Sequence, residues 1–260
     1  MGHLSKEFSV TTTPSISVII PAFEEGEAVV PGLKNLSQEI QQPNEILVVV
    51  DNPSDSTVAP VKKLSEEFPS IRLAVNTYGA GPANAIRYGI DQAVANVVVV
   101  TMADGCDDPR QVEELAHLVK RGVVIAAASR YMPGGQQVGG PRIKRWLSRV
   151  AGKSFAFITG VGTRDATNSF KAYDKDFVNQ VGIHSRHGFE IGLELTAKAR
   201  RLGLSVAEIP TTWIDRTYGQ SNFKLAKWLP RYLGWYLFGL GFVHPDSMIR
   251  ALIKSRETKN

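Results

Sequence analysis

The feature that most constrains this chain is a rhythm of short apolar runs rich in β-branched residues, alternating with residues at helical spacing. Ile16 to Ile20 reads as a buried strand closed by Pro21, and Leu33, Leu36 and Ile40 follow on one helical face. Ile46 to Val50 ends at Asp51. Val61, Leu64 and Phe68 predict the next helix, and Ile71 to Val75 the next strand. Pro82 suits the first turn of a helix continued by Ile86, Ile90 and Ala93. Val97 to Thr101 then leads to Asp104, Val112, Leu115 and Val119 mark another helix, and Val123 to Ala128 another strand. Strands that are apolar on both sides need cover on both faces, so the pattern predicts an α/β domain with a mostly parallel central sheet and helices on both faces. With 260 residues, 43% of them apolar, the chain can bury such a core without staples.

Ligands of open parallel sheets bind outside the carboxyl ends of the strands. That rule selects four turns: Pro21–Glu25, Asp51–Asp55, Gly79–Pro82 and Asp104–Asp108. In Asp104-Gly105-Cys106-Asp107-Asp108, three carboxylates within five residues repel one another unless a cation sits among them. Hard oxygen donors favour Mg2+ or Mn2+, which also bridge diphosphates. The same residues would also make a solvated turn, with Asp108 before Pro109 as a helix cap. Asp51 can accept hydrogen bonds from a ribose or base, or close an Asx-turn with Asn52 and Pro53. Gly79-Ala80-Gly81-Pro82 lets backbone approach a phosphate but lacks the third glycine of a dinucleotide fingerprint, which disfavours NAD.

Charge adds a second theme. The net charge is +5, and Arg142, Lys144, Arg145 and Arg149 stand together without an acid; Lys224, Lys227 and Arg231 form another basic stretch. Such clusters suit anionic lipid or phosphorylated ligands, or simply solvated helix faces. No zinc spacing, nucleic-acid signature or repeat is present, so no nucleic-acid partner is expected. Behind a Gly/Pro-rich loop at 133–141, Ile143, Trp146, Leu147 and Val150 predict an amphipathic helix with a cationic flank. Trp228 to Val243 is apolar and aromatic but interrupted by Pro230 and Arg231, and is too short for a membrane span, which needs about 20 apolar residues. The expected division is a loose polar segment at 1–14, a catalytic domain at 15–227 and a C-terminal amphipathic, interfacial segment at 228–260. A lone Cys106 and the lack of an apolar leader in the first fifteen residues lead us to expect a cytoplasmic location.

Ile19-Ile20-Pro21-Ala22-Phe23-Glu24-Glu25 and Val48-Val49-Val50-Asp51-Asn52-Pro53-Ser54-Asp55-Ser56-Thr57 resemble the opening motifs of family 2 glycosyltransferases. Ser129-Arg130-Tyr131, Gly134-Gly135, Ser148-Arg149, Asp165-Ala166-Thr167-Asn168-Ser169-Phe170-Lys171 and Gly188-Phe189-Glu190 with Glu194 are similar to the polyprenyl-phosphate sugar synthase branch, typified by dolichol-phosphate mannose synthase. Glu208-Ile209-Pro210 with Arg216, Gly219, Ser221 and Lys224 completes a likeness spanning Ser15 to Leu229. Departures are Glu24 where the family has asparagine, an acidic turn one residue short, no cation near Gly79, and Ala103-Asp104-Gly105 where Asp-x-Asp is usual.

The resemblance implies a GT-A fold and an inverting, metal-dependent transfer of a hexose from GDP-mannose or UDP-glucose. Pro21, Ala22, Glu25 and Asp51 would hold the nucleoside, and Asp104 and Asp107 the Mg2+ or Mn2+. Arg130, Arg149, Arg216, Ser221 and Lys224 would face phosphates of donor or acceptor, with Asp104, Glu190 and Arg216 counted as the catalytic residues. The favoured acceptor is a polyprenyl phosphate met at the cytosolic membrane face through basic and aromatic contacts, its oxygen already anionic. A sugar-hydroxyl acceptor for a soluble transferase is the alternative and would require a carboxylate base, from Glu190, Glu194 or Asp165. Of the other classes, a sugar-phosphate nucleotidyltransferase would need a cation-bearing Gly-rich loop where Pro21–Glu25 stands, and a non-catalytic nucleotide-sugar binder would leave the acids idle.

Overall fold

A computed structural model describes residues 13–186, 188–215 and 225–242. Strands β1 (Ile16–Ala22), β2 (Asn44–Val50), β3 (Ile71–Val75) and β4 (Val97–Val100) alternate with helices α1 (Val29–Glu39), α2 (Val58–Glu67), α3 (Pro82–Gln92) and α4 (Gln111–Lys120). Next come β5 (Ile125–Ser129), the short β6 (Gln136–Val138) and the long α5 (Arg142–Thr159). Then follow β7 (Lys171–Asp174), α6 (Lys175–Val181), α7 (Ile191–Arg201), β8 (Val206–Pro210), β9 (Thr212–Ile214) and α8 (Leu225–Gly239). Seven strands form one sheet in the order β3-β2-β1-β4-β7-β5-β8, and β6 and β9 pair separately. All neighbours in the large sheet are parallel except β7, which runs against both β4 and β5.

The alternation of strand side chains divides the core into two layers. Ile16, Val18 and Ile20 of β1 join Leu33 of α1, Val61 of α2 and Leu115 of α4 on one face. Ile19, Leu47, Val49, Val98 and Val100 pack on the other against Ile86 and Ile90 of α3, Phe177 of α6 and Leu195 of α7. α3 lies so close to β1 that a Cβ on Gly89 would stand 2.4 Å from the Ile19 side chain. Ser17, pointing among these apolar neighbours, gives its hydroxyl to Glu45 (2.6 Å), which also takes Arg72 Nη1 and the Val94 N–H. Glu45 is thus a satisfied buried acid at the strands' entrance, opposite the rim where ligands are expected.

Three departures from the sequence reading have physical causes. β1 continues through Pro21 to Ala22, because its pairing with β4 ends at Ile19 opposite Val100 and the missing N–H of proline faces no partner strand there. β5 starts at Ile125 rather than Val123, since the Val123 N–H closes back on Leu118 at the end of α4. α5 spans 18 residues and turns its predicted apolar stripe outward: Ile143 and Trp146 are 73% and 62% exposed, while Phe155 is fully buried on the opposite face. α8 buries Trp235 and Phe238 beside Phe155 and Leu193, leaving Leu229, Leu233 and Leu237 exposed one turn apart. No helix among the described residues is long and apolar enough to cross a membrane.

Candidate active site

The loops leaving β1, β2, β3, β4 and β5 end on one rim, and they hold one another in place. Glu24 carries the one left-handed backbone among the described non-glycine residues (φ 53°). Its N–H meets both Asp55 oxygens (3.2 and 3.0 Å), and Asp55 also accepts the Thr57 N–H. The Glu25 N–H donates to the Thr57 hydroxyl at 3.1 Å. Sequence reasoning named this segment without seeing that Asp55 and Thr57 clamp it. Pro21 and Ala22 are buried at the end of β1, the last residues before the turn.

Asp51 takes the Asn76 side-chain N–H on one oxygen (2.8 Å) and the Gly81 N–H on the other (2.7 Å), so it pins the β3–α3 loop. The Asx-turn at this point belongs to Asn52, whose side chain accepts the Ser54 N–H at 2.9 Å. A carboxylate has about four lone-pair directions, so Asp51 keeps acceptor capacity toward the rim. Asn76 was missed by the sequence reading; its signal was an amide side chain directly after a strand.

The acid loop after β4 divides. Asp108 turns outward and grips Arg110 through Nε (2.9 Å) and Nη2 (2.7 Å), a hydrogen-bonded pairing that lowers its pKa. Asp107 accepts the Thr101 hydroxyl (2.8 Å) and the Met102 N–H with one oxygen, and Asp104 accepts the Cys106 N–H. Burial pushes the Asp107 carboxyl up to about 6; the Thr101 hydrogen bond draws it down, and the adjacent Asp104 charge adds to the rise. A cation is what relieves such a pair. No group of three or more His, Cys, Asp or Glu suited to a metal occurs among the described residues. Two carboxylates with substrate phosphates and water nevertheless match how Mg2+ is usually held, so Asp104 and Asp107 fit a divalent ion shared with a diphosphate.

Arg130, leaving β5, is nine-tenths buried and forms a forked pair with Asp165, Nε at 2.7 Å and Nη2 at 2.9 Å. Asp165 also accepts the Arg130 N–H at 3.0 Å. Burial alone would lower the Arg130 pKa, but the Asp165 charge and hydrogen bonds outweigh it and raise it. Lys171, the first residue of β7, is fully buried and donates to the carbonyls of Asp165 and Ala166 (3.2 Å each) and of Asn168. Burial brings its pKa down to about 7, with Asp165 opposing the fall. The structure therefore ties four residues of one quoted motif, Asp165, Ala166, Asn168 and Lys171, into a support for Arg130, a link invisible at a separation of 35 residues.

Of the three candidate bases, two are occupied. Asp165 serves Arg130, and Glu194 is buried against Lys198 Nζ at 2.5 Å with the His184 and Ser185 N–H groups at 2.6 and 2.8 Å. Glu190, at the N-terminus of α7, is 2% exposed and leaves Oε2 without a hydrogen-bond partner among the described residues. Arg149 lines a separate cleft of about 720 Å³ with Tyr131, Lys153, Phe157 and Arg164; neither Arg130 nor the rim acids belong to that lining. Arg216, Ser221 and Lys224 lie outside the described residues.

Comparison with known proteins fits this geometry. Residues 17–182 match the profile of Glycosyl transferase family 2. A polyprenol monophosphomannose synthase from Mycolicibacterium smegmatis is 30% identical over 236 residues, 85% of this chain and 89% of that protein. An undecaprenyl-phosphate mannosyltransferase from Micrococcus luteus is 26% identical over 80% of this chain and 86% of its own length. A dolichol-phosphate mannosyltransferase from Pyrococcus furiosus is 30% identical over 80% of this chain and 59% of its own. Among solved structures, glucosyl-3-phosphoglycerate synthase from Mycobacterium tuberculosis, in complex with Mn2+, uridine diphosphate and glucosyl-3-phosphoglycerate, superposes with a TM-score of 0.64 at 17% identity, covering 90% of this chain and 82% of that one. A mannosyltransferase from Pyrobaculum calidifontis, in complex with GDP-Man and Mn2+, gives 0.59 at 19% identity over 95% of this chain and 70% of its own. These neighbours share the GT-A fold with the present sheet.

Proposed function

The chain belongs to glycosyl transferase family 2, and we propose that it moves mannose from GDP-mannose to a polyprenyl phosphate at a membrane surface, with inversion at the anomeric carbon. The observation that carries this reading is the meeting of opposite charges on one rim, Asp104 and Asp107 on one side and the buried Arg130 on the other. The names of the relatives support mannose and a polyprenyl phosphate as the transferred sugar and its acceptor.

In this reading the Pro21–Glu25 turn, clamped by Asp55 and Thr57, and Asp51, fixed by Asn76 and Gly81, receive the nucleoside in a pocket that needs little rearrangement. A divalent cation at Asp104 and Asp107 supplies charge neutralisation for the departing diphosphate when bound. Arg130, held rigid by Asp165, presents its remaining N–H groups as a fixed positive charge toward phosphate. Arg216, Ser221 and Lys224 are proposed to join it. An acceptor phosphate is anionic near neutral pH, so its oxygen attacks without a side chain taking its proton; orientation is the work left to the protein.

One observation favours a second reading, transfer to a sugar hydroxyl: the unpartnered Oε2 of Glu190 is the kind of group that would take a hydroxyl proton. Incubating the protein with GDP- and UDP-hexoses, Mn2+ or Mg2+, and either polyprenyl phosphate or soluble sugars decides between the two. Mannosyl lipid formed from GDP-mannose is the expected product. Glycoside formed only on soluble sugars, abolished by Glu190→Gln, would establish the second reading instead.

A further inference from the structure

The cleft lined by Arg149 has a character of its own. Arg149 and Lys153 enter it from α5, and Arg164 faces them from the loop that follows the helix. The one acid in the lining, Glu208, is already paired with Arg164 at 2.6 Å. Arg149 and Lys153 have no carboxylate within ion-pair distance among the described residues, so two positive charges point into an open cleft uncompensated. Its volume of about 720 Å³ falls within the ~300–1,000 Å³ of small-molecule sites and exceeds what a bare phosphate would fill.

The mouth of the cleft is apolar. Phe157 lines it while 90% exposed, and Ile158 beside it is 60% exposed. Lys153 stands in the same helical row as Ile143, Trp146, Val150 and Phe157, at steps of 3, 4, 3 and 4 residues, so the cationic wall of the cleft opens directly onto the outward stripe of α5. A ligand that satisfies both features carries an anionic head and a hydrocarbon body. A soluble sugar phosphate would leave the stripe and Phe157 in water. The acceptor of the transfer step must reach Arg130 and the rim acids, and these are absent from the lining; the Tyr131 ring lines the cleft and carries the Arg130 guanidinium 5.0 Å from its centroid.

We infer that this cleft seats the phosphate headgroup of an anionic phospholipid, which anchors α5 to the membrane surface beside, and apart from, the reaction site. The inference rests on the reading of the protein as a membrane-surface enzyme, and its test is separable from that of the transfer reaction. Binding of the full chain is measured by co-sedimentation with phosphatidylcholine vesicles, alone or carrying either phosphatidylglycerol or polyprenyl phosphate. Lys153→Glu exchanges an exposed cation for an anion and is expected to weaken binding to phosphatidylglycerol vesicles about thirtyfold, two charges at the usual per-cation value near a membrane. Lys153→Arg retains binding. Lys63→Glu, the same charge change on the exposed face of α2, has little effect. Transfer to detergent-dispersed polyprenyl phosphate is unchanged by Lys153→Glu. Equal losses from Lys153→Glu and Lys63→Glu would reduce the effect to bulk charge and overturn the inference. So would binding of the parent only to vesicles that carry polyprenyl phosphate, which would make the cleft the acceptor's own seat. Failure of the detergent assay in the parent would sink the polyprenyl-phosphate acceptor reading and leave the vesicle result standing.

Discussion

Replacing Asp165 by Ala should be among the most damaging single changes in the molecule. Asp165 is fully buried and accepts three N–H bonds from Arg130, whose side chain is 12% exposed. Removing one partner of a buried pair strands the other charge in low dielectric, at ~3–5 kcal/mol. Lys171, three-coordinated by carbonyls alongside, loses its nearest counter-charge as well. Taking ~4 kcal/mol, and ~2–4 °C per kcal/mol for a chain of this size, the melting temperature should fall by about 8–16 °C. The pairing makes a sharper claim for the double variant. Arg130→Met alone leaves Asp165 buried with a charge and should cost a similar amount, whereas Asp165→Ala with Arg130→Met leaves neither. The double variant should therefore be more stable than the summed single losses by about 3 kcal/mol in a urea double-mutant cycle. Single losses below ~1 kcal/mol, or additivity within ~0.5 kcal/mol, would refute the claim that this pair is desolvated and mutually dependent.

Asp104→Ala or Asp107→Asn should lower kcat/KM at least about a hundredfold and abolish Mn2+ binding seen by electron paramagnetic resonance, with the fold intact by circular dichroism. Burial raises the Glu194 pKa, but hydrogen bonding in the His184–Ser185 turn and the Lys198 charge outweigh it and hold the carboxyl at about 2, below its ordinary 4.5. A depressed acid contributes fully above its unfolded pKa and is lost as pH falls through its folded one, so up to about 3 kcal/mol should disappear between pH 4.5 and 2. Glu194→Gln should flatten that part of the stability–pH curve, and an unchanged slope would count against the assignment. Glu24→Asn should stabilise the fold by about 1 kcal/mol in urea unfolding, because asparagine tolerates the left-handed backbone that glutamate occupies at φ 53°; a loss would mean the Glu24 contact with the Ser56 N–H matters more than the strain.

Those strands whose neighbours cover both faces were legible, because an unbroken apolar run such as Leu47–Val50 has few other places to go. The position of Asp51 and of the Asp104–Asp108 loop followed from the same runs, since polar residues that end buried strands fall on one rim. The antiparallel β7 was not legible as a strand: it is four residues long and begins with a buried lysine, which no hydrophobic pattern announces. The partnership of Arg130 with Asp165 depends on two chain segments meeting in space. The outward turn of the α5 stripe defeats periodicity altogether, because an apolar row looks the same whether it faces a core, a membrane or a partner.

The reversed β7 alters what an insertion does to this protein. Its first residue, Lys171, sits opposite Val100 next to the acid loop, and its last, Asp174, sits opposite Val97 at the other end of the sheet. Length added after β7 enlarges the remote end of the molecule. Length added between α5 and β7 builds up the rim beside the Arg130–Asp165 pair, and leaves β1 to β4 as they are. The side of the rim beside Arg130 and Asp165 can therefore change while the strands that carry the Asp51 and Asp104 loops stay as they are.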